Sequence, residues 1–228
     1  MNCKEMKSTR KSGDCKRPYE LGRRQEATDQ NRAAILKAAR SLLESQGFLR
    51  LTMDALARES GVTRQTVHNL FGTKAELLEA LFDHLANDGG LGRMPLVMQQ
   101  SDPEAMLTGL VEIFTGYWSK HRMILKRIHG IAAIDPEFGK AVAARNNRRR
   151  GLAARVVERL HGHADGRRAA ALYALTDFEF FDVMAEYCGN EGAAAKAVME
   201  MVKRDQGLGT TDTGSAGWGG ESIHVKVE

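Results

Sequence analysis

This chain has few prolines, little strand-like alternation and no long apolar run. No apolar stretch approaches the roughly 18 residues that a membrane-spanning helix needs, which argues against a membrane partner. Only 4 of the 228 residues are proline, and the alternation of apolar and polar residues typical of β-strands is almost missing outside the last few residues. The sequence therefore predicts an all-α protein, long enough to bury the core of one or two domains.

Cysteine is scarce as well, with three in the whole chain. Cys3, Cys15 and Cys188 are odd in number and lack metal-ligand spacing, which argues against a disulfide framework. The basic N-terminus has no apolar segment of the kind that a secretory signal needs, so we expect a cytoplasmic protein. Free thiols in a reducing compartment are the favoured interpretation, and redox-active thiols in the N-terminal segment are the alternative.

The patterns that enzymes use are also missing. The sequence has no nucleophile–base pattern, no phosphate-binding loop and no paired metal-binding carboxylates, so no catalytic residue and no cofactor is predicted. Four histidines, His121, His129, His161 and His163, lack the spacing of a recognised site, and no metal is expected. An α-helical enzyme is therefore the weakest of the alternatives.

Composition divides the chain into four parts, and its net charge of +4 is too small to identify a partner by itself. Residues 1–27 are basic and poor in apolar residues, which predicts a disordered arm. Residues 28–87 carry four closely spaced helix signals, and residues 88–204 carry about five longer helices. Residues 205–228 are rich in Gly, Ser and Thr and are expected to form a flexible tail.

Capping signals mark where most of these helices should begin. The expected starts are Thr52, Thr63, Thr73 with Glu76, Ser101 with Glu104, and Asp135 followed by Pro136. Gly47 and Gly61 are expected just after the first and second helices. The last two helices are predicted near residues 167–187 and 191–204, joined by the short hinge CGN.

Residues 59–75, ESGVTRQTVHNLFGTKA, raise the question of function. Two short helices joined by a tight turn at Gly61 match a helix-turn-helix, whose second helix enters the major groove of DNA. Arg64 would lie in the first turn of that helix, where a cation costs about 0.3–1 kcal/mol. A phosphate or a guanine edge in the working complex would explain the arginine. A solvated polar face in some other bundle is the alternative that the pattern alone leaves open.

The region of about residues 30–85 resembles the tetracycline-repressor (TetR) family of bacterial regulators. The matching positions are Ile35, Ala38, Ala39, Gly47, Thr52, Gly61, Val62, Thr63, Phe71, Thr73, Lys74, Leu77 and Leu78. His68 stands where the family usually has tyrosine, and Leu70 where histidine is common. The resemblance implies an N-terminal helix-turn-helix DNA-binding domain followed by a helical ligand-binding and dimerisation domain.

The resemblance also implies how such a protein works. It would be a homodimeric transcription regulator, most simply a repressor that a small-molecule effector releases from a palindromic operator in double-stranded DNA. The implied phosphate contacts are Thr52, Thr63, His68 and Lys74; the implied base contacts are Arg64, Gln65 and Thr66; and Asn69 is a further polar residue of the same helix. Control by thiol redox state or by a protein partner is the alternative form of regulation.

The second half offers candidates for an effector pocket. Its aromatic and methionine-bearing stretch supplies Phe114, Tyr117, Trp118, Met123, Ile128 and Phe138, which suit a mostly apolar pocket between helices. The alternative is that such residues are ordinary core. The run RNNRRR at residues 145–150 is interpreted as a solvated helix face that could meet an acidic partner.

The last two helices offer candidates for a dimer interface, as the family resemblance implies. Small and flexible apolar residues recur on them at helical spacing, which suits close helix packing. The selected residues are Ala174, Phe178, Phe181, Ala194, Ala197 and Met201. The alternative is that these faces are buried within the chain.

Overall fold

Residues 16–208 are described by the computed structural model, with side chains from residue 22 onward. Every regular element in that range is helical, which confirms the all-α prediction. The α-helices are α1 Lys16–Gln46, α2 Met53–Ser60, α3 Arg64–Phe71, α4 Lys74–Asp88, α5 Met94–Val97, α6 Pro103–Ile134, α7 Pro136–His161, α8 Gly166–Leu175, α9 Phe178–Cys188 and α10 Glu191–Asp205. Single 3₁₀ turns at Phe48–Arg50 and Leu91–Arg93 precede α2 and α5.

The first four helices pack around α1. The stripe that helical periodicity predicts on α1 is buried: Ile35, Ala38, Ala39, Leu42 and Leu43. α2 and α4 both contact α1, and α3 contacts α2 and α4. Gly47 follows α1 at φ 79°, a conformation that residues with a Cβ rarely adopt, and it lets the chain turn back.

The predicted caps of these short helices are present. The hydroxyl of Thr52 accepts a hydrogen bond from the backbone N–H of Ala55 at 3.1 Å, which starts α2. Thr63 starts α3 in the same way, accepting from the N–H of Thr66 at 3.1 Å. At the start of α4 the capping box of Thr73 and Glu76 is complete in both directions.

The longer helices begin partly as predicted. Asp135 caps α7, with Pro136 at the first helical position. A capping box of Ser101 and Glu104 at the start of α6 is wrong, because the adjacent Asp102 serves as the N-cap. Its carboxylate accepts from the backbone N–H of Glu104 at 2.9 Å.

Residues 16–27 are the first turns of α1, so the predicted disordered arm is wrong for this segment. Their charged and amide side chains favour helix, and neighbours one turn apart bond to each other. Gln25 Nε2 donates to Asp29 Oδ1 at 3.0 Å, and the hydroxyl of Thr28 donates to the carbonyl of Arg24 at 2.8 Å. The rest of the arm, residues 1–15, lies outside the described residues.

α6 runs through the middle of the second half and contacts α7, α9 and α10. It spans 32 residues with one non-helical position, His121 at φ −122° and ψ 15°, where the helix kinks. Two ion pairs of 2.7 and 2.9 Å join Arg122 and Lys126 of α6 to Asp182 of α9. These contacts fix α9 against α6 just beyond the kink.

The helix predicted over residues 167–187 is two helices, α8 and α9, separated at Thr176 and Asp177. The Thr176 carbonyl accepts from Trp118 Nε1 at 3.1 Å and from Arg149 Nη1 at 2.7 Å. The carboxylate of Asp177 caps α9 by accepting from the N–H of Glu179 at 3.2 Å. Partners on α6 and α7 thus stabilise the break, which local periodicity could not reveal.

The flexible tail predicted over residues 205–228 is wrong for its first residues. α10 ends at Asp205, and the next residue, Gln206, is buried. Its Oε1 lies 3.1 Å from Nε2 of His161 at the end of α7. The packed part of the chain therefore extends past α10, and residues 209–228 lie outside the described range.

Among residues 16–208, no helix has both the length and the apolar character needed to cross a bilayer.

Candidate nucleic-acid interface and ligand cavity

α2 and α3 form a helix-turn-helix. Gly61 ends α2 at φ 72° and ψ 19°, the left-handed conformation that the sequence predicts for the turn. The N–H of Val62 then donates to the carbonyl of Ala57 at 3.2 Å, which closes the turn. Leu56 and Val67 are buried between the two helices and hold their crossing angle.

The outer face of α3 is polar and exposed. Arg64, Gln65, His68 and Asn69 are all exposed, and Thr66 is half-buried. The opposite face buries Val67 and Phe71 in the core. The residues predicted to contact DNA on this helix therefore lie together on one accessible surface. We call the exposed side chains at positions 64, 65, 68 and 69 the α3 face.

Arg64 has a partner that the local sequence did not suggest. Its Nη1 lies 3.4 Å from Oδ1 of Asp54 in the first turn of α2. Both side chains are about 70% exposed, at 70% and 68%, so solvent screens the pair. Exposed pairs of this kind contribute about 0.2–1 kcal/mol, which a stronger anion can displace. Arg64 is thus held near the start of α3 without being locked there.

The amide and hydroxyl groups of the α3 region bond to one another. Gln65 Nε2 donates to Asn69 Oδ1 at 2.7 Å, one turn along the helix. The hydroxyls of Thr63 and Thr66 lie 2.9 Å apart. Thr52, also exposed, caps α2 nearby. These bonds restrict the rotamers of the side chains that the resemblance assigns to DNA.

Lys74 differs from the other predicted contacts because it is half-buried. Its Nζ donates to the carbonyl of Phe48 at 3.0 Å and lies 3.5 Å from the centroid of that ring. Burial lowers the pKa of Lys74, an effect that Asp135 partly opposes. The carboxylate of Glu76 instead accepts from the backbone N–H of Thr73 in the capping box. Its role as a phosphate contact stays a prediction.

A second candidate site is a cavity of about 670 Å³ bounded by α4, α5, α6 and α7. Its apolar wall includes Phe82, Leu91, Met94, Phe114, Trp118 and Leu152. The rings of Phe114 and Trp118 are stacked, with centroids 5.9 Å apart and planes inclined by 18°. The volume lies within the roughly 300–1,000 Å³ of small-molecule sites.

Half of the predicted pocket residues line this cavity. Phe114, Tyr117 and Trp118 share one face of α6 and contribute to its wall. Met123 does not line this cavity, because it lies two residues past the kink and is 66% exposed; its role in ligand binding stays a prediction. Ile128 and Phe138 do not line the cavity and are fully buried in the core. The alternative of ordinary core therefore holds for those two.

The arginines of α7 are the residues that the sequence analysis missed. Arg145, Arg148, Arg149 and Arg155 all line the cavity. The interpretation of residues 145–150 as a solvated face is wrong for Arg149, which is 5% exposed and pairs with Asp177. Spacings of three and four residues place these positions on one helical face, a signal that the sequence contained.

Two polar atoms beside the cavity are buried without a hydrogen-bond partner among the described residues. They are the hydroxyl of Tyr117 and Nε of Arg149. Burial raises the pKa of Tyr117 well above its usual value, so its hydroxyl stays protonated and can donate. Desolvation lowers the pKa of the Arg149 guanidinium. Unsatisfied buried donors are rare in folded proteins and favour a polar partner at the site.

The cavity is in direct contact with the half of the chain that carries the helix-turn-helix. Arg145 Nη2 lies 2.6 Å from Oδ1 of Asp83 on α4, and its guanidinium lies 4.8 Å from the ring centroid of Phe82. The ring of Tyr117 packs so closely on Gly89, at the end of α4, that a Cβ there would lie 2.3 Å from it. α4 therefore has one end beside α3 and the other against the cavity wall.

The predicted dimer residues separate into two groups. Phe178, Phe181 and Ala194 are buried within the protomer, so their assignment to an interface is wrong. They pack inward because α9 and α10 also cover α6. Ala174 and Met201 are exposed and Ala197 is half-buried, so these three stay available to a partner.

Other apolar side chains of α9 are exposed. Val183 is 49% exposed and Tyr187 is 81% exposed. They lie four residues apart on the same side of the helix. We call Val183 and Tyr187, with Ala197 and Met201 of α10, the α9–α10 face.

The residues considered for redox or metal chemistry are dispersed. Cys188 is half-buried at the end of α9, and Cys3 and Cys15 lie outside the described residues. His129 pairs with Glu179 at 2.6 Å. Within residues 16–208 no three His, Cys, Asp or Glu side chains are arranged to hold a metal ion.

Known proteins share this arrangement in part. Residues 35–81 match the sequence profile of the bacterial regulatory proteins of the TetR family. The HTH-type transcriptional regulator EthR of Mycolicibacterium smegmatis is 30% identical over 116 residues, which are 48% of this chain and 51% of that protein. TtgR of Pseudomonas putida is 38% identical over 63 residues, 28% of this chain and 30% of that protein. The chain thus spans about half the length of these relatives or less.

Solved structures extend the similarity to most of the fold. A TetR transcription regulator from Haloarcula marismortui has a TM-score of 0.62 at 20% identity, covering 77% of this chain and 97% of that one. A TetR-family regulator from Syntrophomonas wolfei has a TM-score of 0.65 at 13% identity, covering 81% and 99%. At such identities the similarity shows the fold, including the helices that enclose the cavity.

Proposed function

Because the chain belongs to the TetR family of bacterial regulators, we propose that it binds operator DNA and regulates transcription in response to a small molecule. The simplest form is a homodimeric repressor that its effector releases from a palindromic site. The observation that carries this proposal is the α3 face. It presents a cation and amide groups to solvent from a helix whose other side is buried in the core.

The chemistry of the α3 face supports base readout. Arginine pairs with the acceptor edge of guanine and glutamine with adenine, each good bidentate contact giving roughly 1–3 kcal/mol of discrimination. The exposed end of the α3 helix is electropositive, which favours a nearby phosphate. Arg64 and Gln65 lie in that first turn, and their present partners, Asp54 and Asn69, are exposed and replaceable.

The cavity supports regulation by a small molecule. Its wall includes Arg145, which bonds to α4 through Asp83, and Tyr117, which packs against Gly89 at the end of the same helix. A ligand that moves either side chain changes the contacts that hold α4. Since α4 contacts α3, such a change would alter the orientation of the α3 face.

The α9–α10 face supports dimer formation. Contiguous exposed apolar side chains often mark a contact with another protein. An inverted operator requires two copies of α3 about 34–36 Å apart, the length of one DNA turn. We assign the α9–α10 face to the contact between the two copies, with Val183 and Tyr187 as its main apolar contributors.

Selection of bound duplexes from a random DNA pool tests the proposed function. The purified chain is incubated with the pool at moderate salt, and retained duplexes are amplified and sequenced over several rounds. Recovery of two inverted half-sites supports a dimeric operator-binding protein. Recovery of no shared sequence contradicts specific regulation, and retention of no duplex at low salt contradicts DNA binding altogether.

The α3 face also provides a matched control for this selection. A variant with Arg64→Ala and Gln65→Ala loses both predicted base contacts, and Lys140→Ala removes one exposed cation from α7, outside the helix-turn-helix. We expect the control variant to select the same half-sites as the wild type. We expect the double variant to select none.

A further inference from the structure

The charge around the cavity is strongly unbalanced. Among the described residues, four arginines of α7 line it, and Asp83 is the one carboxylate among its lining residues. Arg145 is neutralised by Asp83, and Arg149 by Asp177. Neither Arg148 nor Arg155 has an ion-pair partner within 4.0 Å in residues 16–208, although both belong to the cavity wall. Two positive charges therefore stay unbalanced there.

The two unpaired arginines lie at the mouth of the cavity. Arg148, Gly151 and Arg155 are exposed, so this side of the cavity opens to solvent. The three positions are separated by three and four residues along α7, which places them on one face of the helix. An anion entering from solvent would meet both guanidinium groups before it reached the interior.

The interior of the cavity is apolar with a few buried donors. The stacked rings of Phe114 and Trp118 offer a flat surface for an aromatic or acyl group. Tyr117 and Arg149 belong to the same wall, but the Tyr117 hydroxyl and Arg149 Nε are closed off from solvent and lack a hydrogen-bond partner among the described residues.

From this arrangement we propose that the cavity binds an amphipathic organic anion. Its carboxylate or sulfonate group bonds to Arg148 and Arg155 at the mouth, and its aromatic or acyl body lies against Phe114 and Trp118. Guanidinium groups bind such oxyanions with charge-assisted bonds, which are stronger than neutral ones. Organic cations are excluded by the same charge. The inference rests on the proposed function only in naming this anion as the effector.

A matched pair of fluorescent probes tests the assignment. Anilinonaphthalene sulfonate is an amphipathic anion, and phenylnaphthylamine is the same ring system without the sulfonate. Each is titrated into the purified full-length chain without DNA, with energy transfer from tryptophan as the readout. We expect the sulfonate to bind more tightly, and dodecanoate to displace it where dodecanol at equal concentration does not.

Variants locate the anionic group. Arg148→Gln with Arg155→Gln removes both cations at the mouth, and we expect it to weaken sulfonate binding at least about tenfold. Binding of the neutral amine should be unchanged. The control, Lys140→Gln with Arg167→Gln, removes two exposed cations that do not line the cavity, and should change neither affinity. Circular dichroism confirms that each variant is helical.

A further variant locates the body of the ligand. A Cβ at Gly151 would meet no atom within 4 Å, so Gly151→Trp can be accommodated while its ring obstructs the mouth. We expect it to abolish binding of both probes. Retention of both probes by this variant overturns the assignment of the cavity.

Two further outcomes overturn the inference. Equal affinity for the two probes, unaffected by the arginine variants, would show a neutral apolar site. Absence of binding by both probes to the wild type would remove the site itself. Anion binding as expected by a chain that retains no DNA duplex supports the ligand assignment and contradicts only the regulatory function.

Discussion

Two opposing electrostatic effects act on the Arg64 guanidinium and leave its side chain free to move. The positive end of the α3 dipole disfavours it by about 0.3–1 kcal/mol, and the exposed pair with Asp54 offsets a similar amount. The net attachment of Arg64 to the protein is therefore weak. A guanine edge or a phosphate in the operator offers more than Asp54 does, which explains an arginine at this position.

The first prediction concerns this residue. Arg64→Ala should weaken binding to a selected operator by about 1–3 kcal/mol per half-site, because one bidentate base contact is lost in each. Binding to scrambled duplexes should change much less, so the preference relaxes at one base position. Fluorescence anisotropy with both duplexes measures the ratio. An equal loss on both duplexes would show that Arg64 contacts only the backbone.

Lys74 gives the second prediction. The sequence implies a free phosphate contact, whereas the structure shows its ammonium bonded to the carbonyl of Phe48. If its ammonium leaves the carbonyl of Phe48 for a phosphate, Lys74→Ala removes one counterion-releasing contact per protomer. The slope of log K against log salt should then flatten by about 0.9 for each phosphate lost. Anisotropy titrations over a salt series measure that slope. An unchanged slope with a lower free energy of unfolding would show that Lys74 only stabilises the fold through the Phe48 carbonyl and does not contact a phosphate.

At the scale of the helical element, the start of α4 depends on a charged cap. Hydrogen bonds from the backbone N–H and hydroxyl of Thr73 hold the pKa of Glu76 below its usual value. The folded state therefore binds this proton less readily than the unfolded state does. The resulting stabilisation is complete above the unfolded pKa of about 4.3 and is lost as the pH falls through the lower folded value.

The third prediction follows from that pH window. Glu76→Gln should lower the free energy of unfolding at pH 7, and the difference from the wild type should be smaller at pH 3. Thr73→Ala removes the hydroxyl that caps α4 and should cost about 1 kcal/mol at pH 7. Urea unfolding followed by circular dichroism at the two pH values measures both effects. A Gln variant whose deficit persists undiminished in acid would contradict the charge-dependent cap.

Elements whose signals are local could be predicted from the sequence. The caps at Thr52, Thr63, Thr73 and Asp135 each depend on residues two or three positions away, and all are present. The break at Thr176 could not be predicted, because its partners Trp118 and Arg149 are distant in the chain. The prediction of disorder was also wrong at residues 16–27. This segment has few apolar residues, as disordered segments do, yet it forms the first turns of α1.

The candidate sites also divide into one that depends on local sequence and one that depends on contacts between distant parts of the chain. The α3 face depends on one short helix and its turn, so the pattern of residues 59–75 was sufficient to predict it. The cavity depends on how α4, α6 and α7 pack, and only the i, i+3, i+4 cluster on α6 was recovered. Arg149 was misinterpreted because a cluster of positive charge usually faces solvent. Its burial, and the partial burial of Arg145, become favourable only through Asp83, Asp177 and the Thr176 carbonyl.

At the scale of the whole molecule, the proposed function requires two copies acting together. The α9–α10 face is the surface we assign to that contact, and it leaves the α3 face at the other end of the chain free. Residues of α4 line the cavity. Under the proposed function, a ligand in the cavity acts on the spacing of the two α3 helices through α4.

The fourth prediction tests that assembly. Tyr187→Glu, with or without Val183→Glu, places carboxylates on the α9–α10 face and should convert dimers to monomers in sedimentation experiments. The matched control is Ile134→Glu, which adds a carboxylate at another exposed apolar residue, 72% exposed at the end of α6. It should leave the dimer intact. Dimers that persist in the Tyr187 variant would require a different interface.

Oxidative footprinting of the protein on a selected operator tests the central claim most directly, that the α3 face contacts DNA. The reactivity of the exposed His68 side chain is compared with that of the exposed Met123, in the free protein and in the complex. The account predicts that operator DNA protects His68 and leaves Met123 reactive, whereas an equal amount of scrambled duplex protects His68 less. Full reactivity of His68 in a saturated complex would contradict the account.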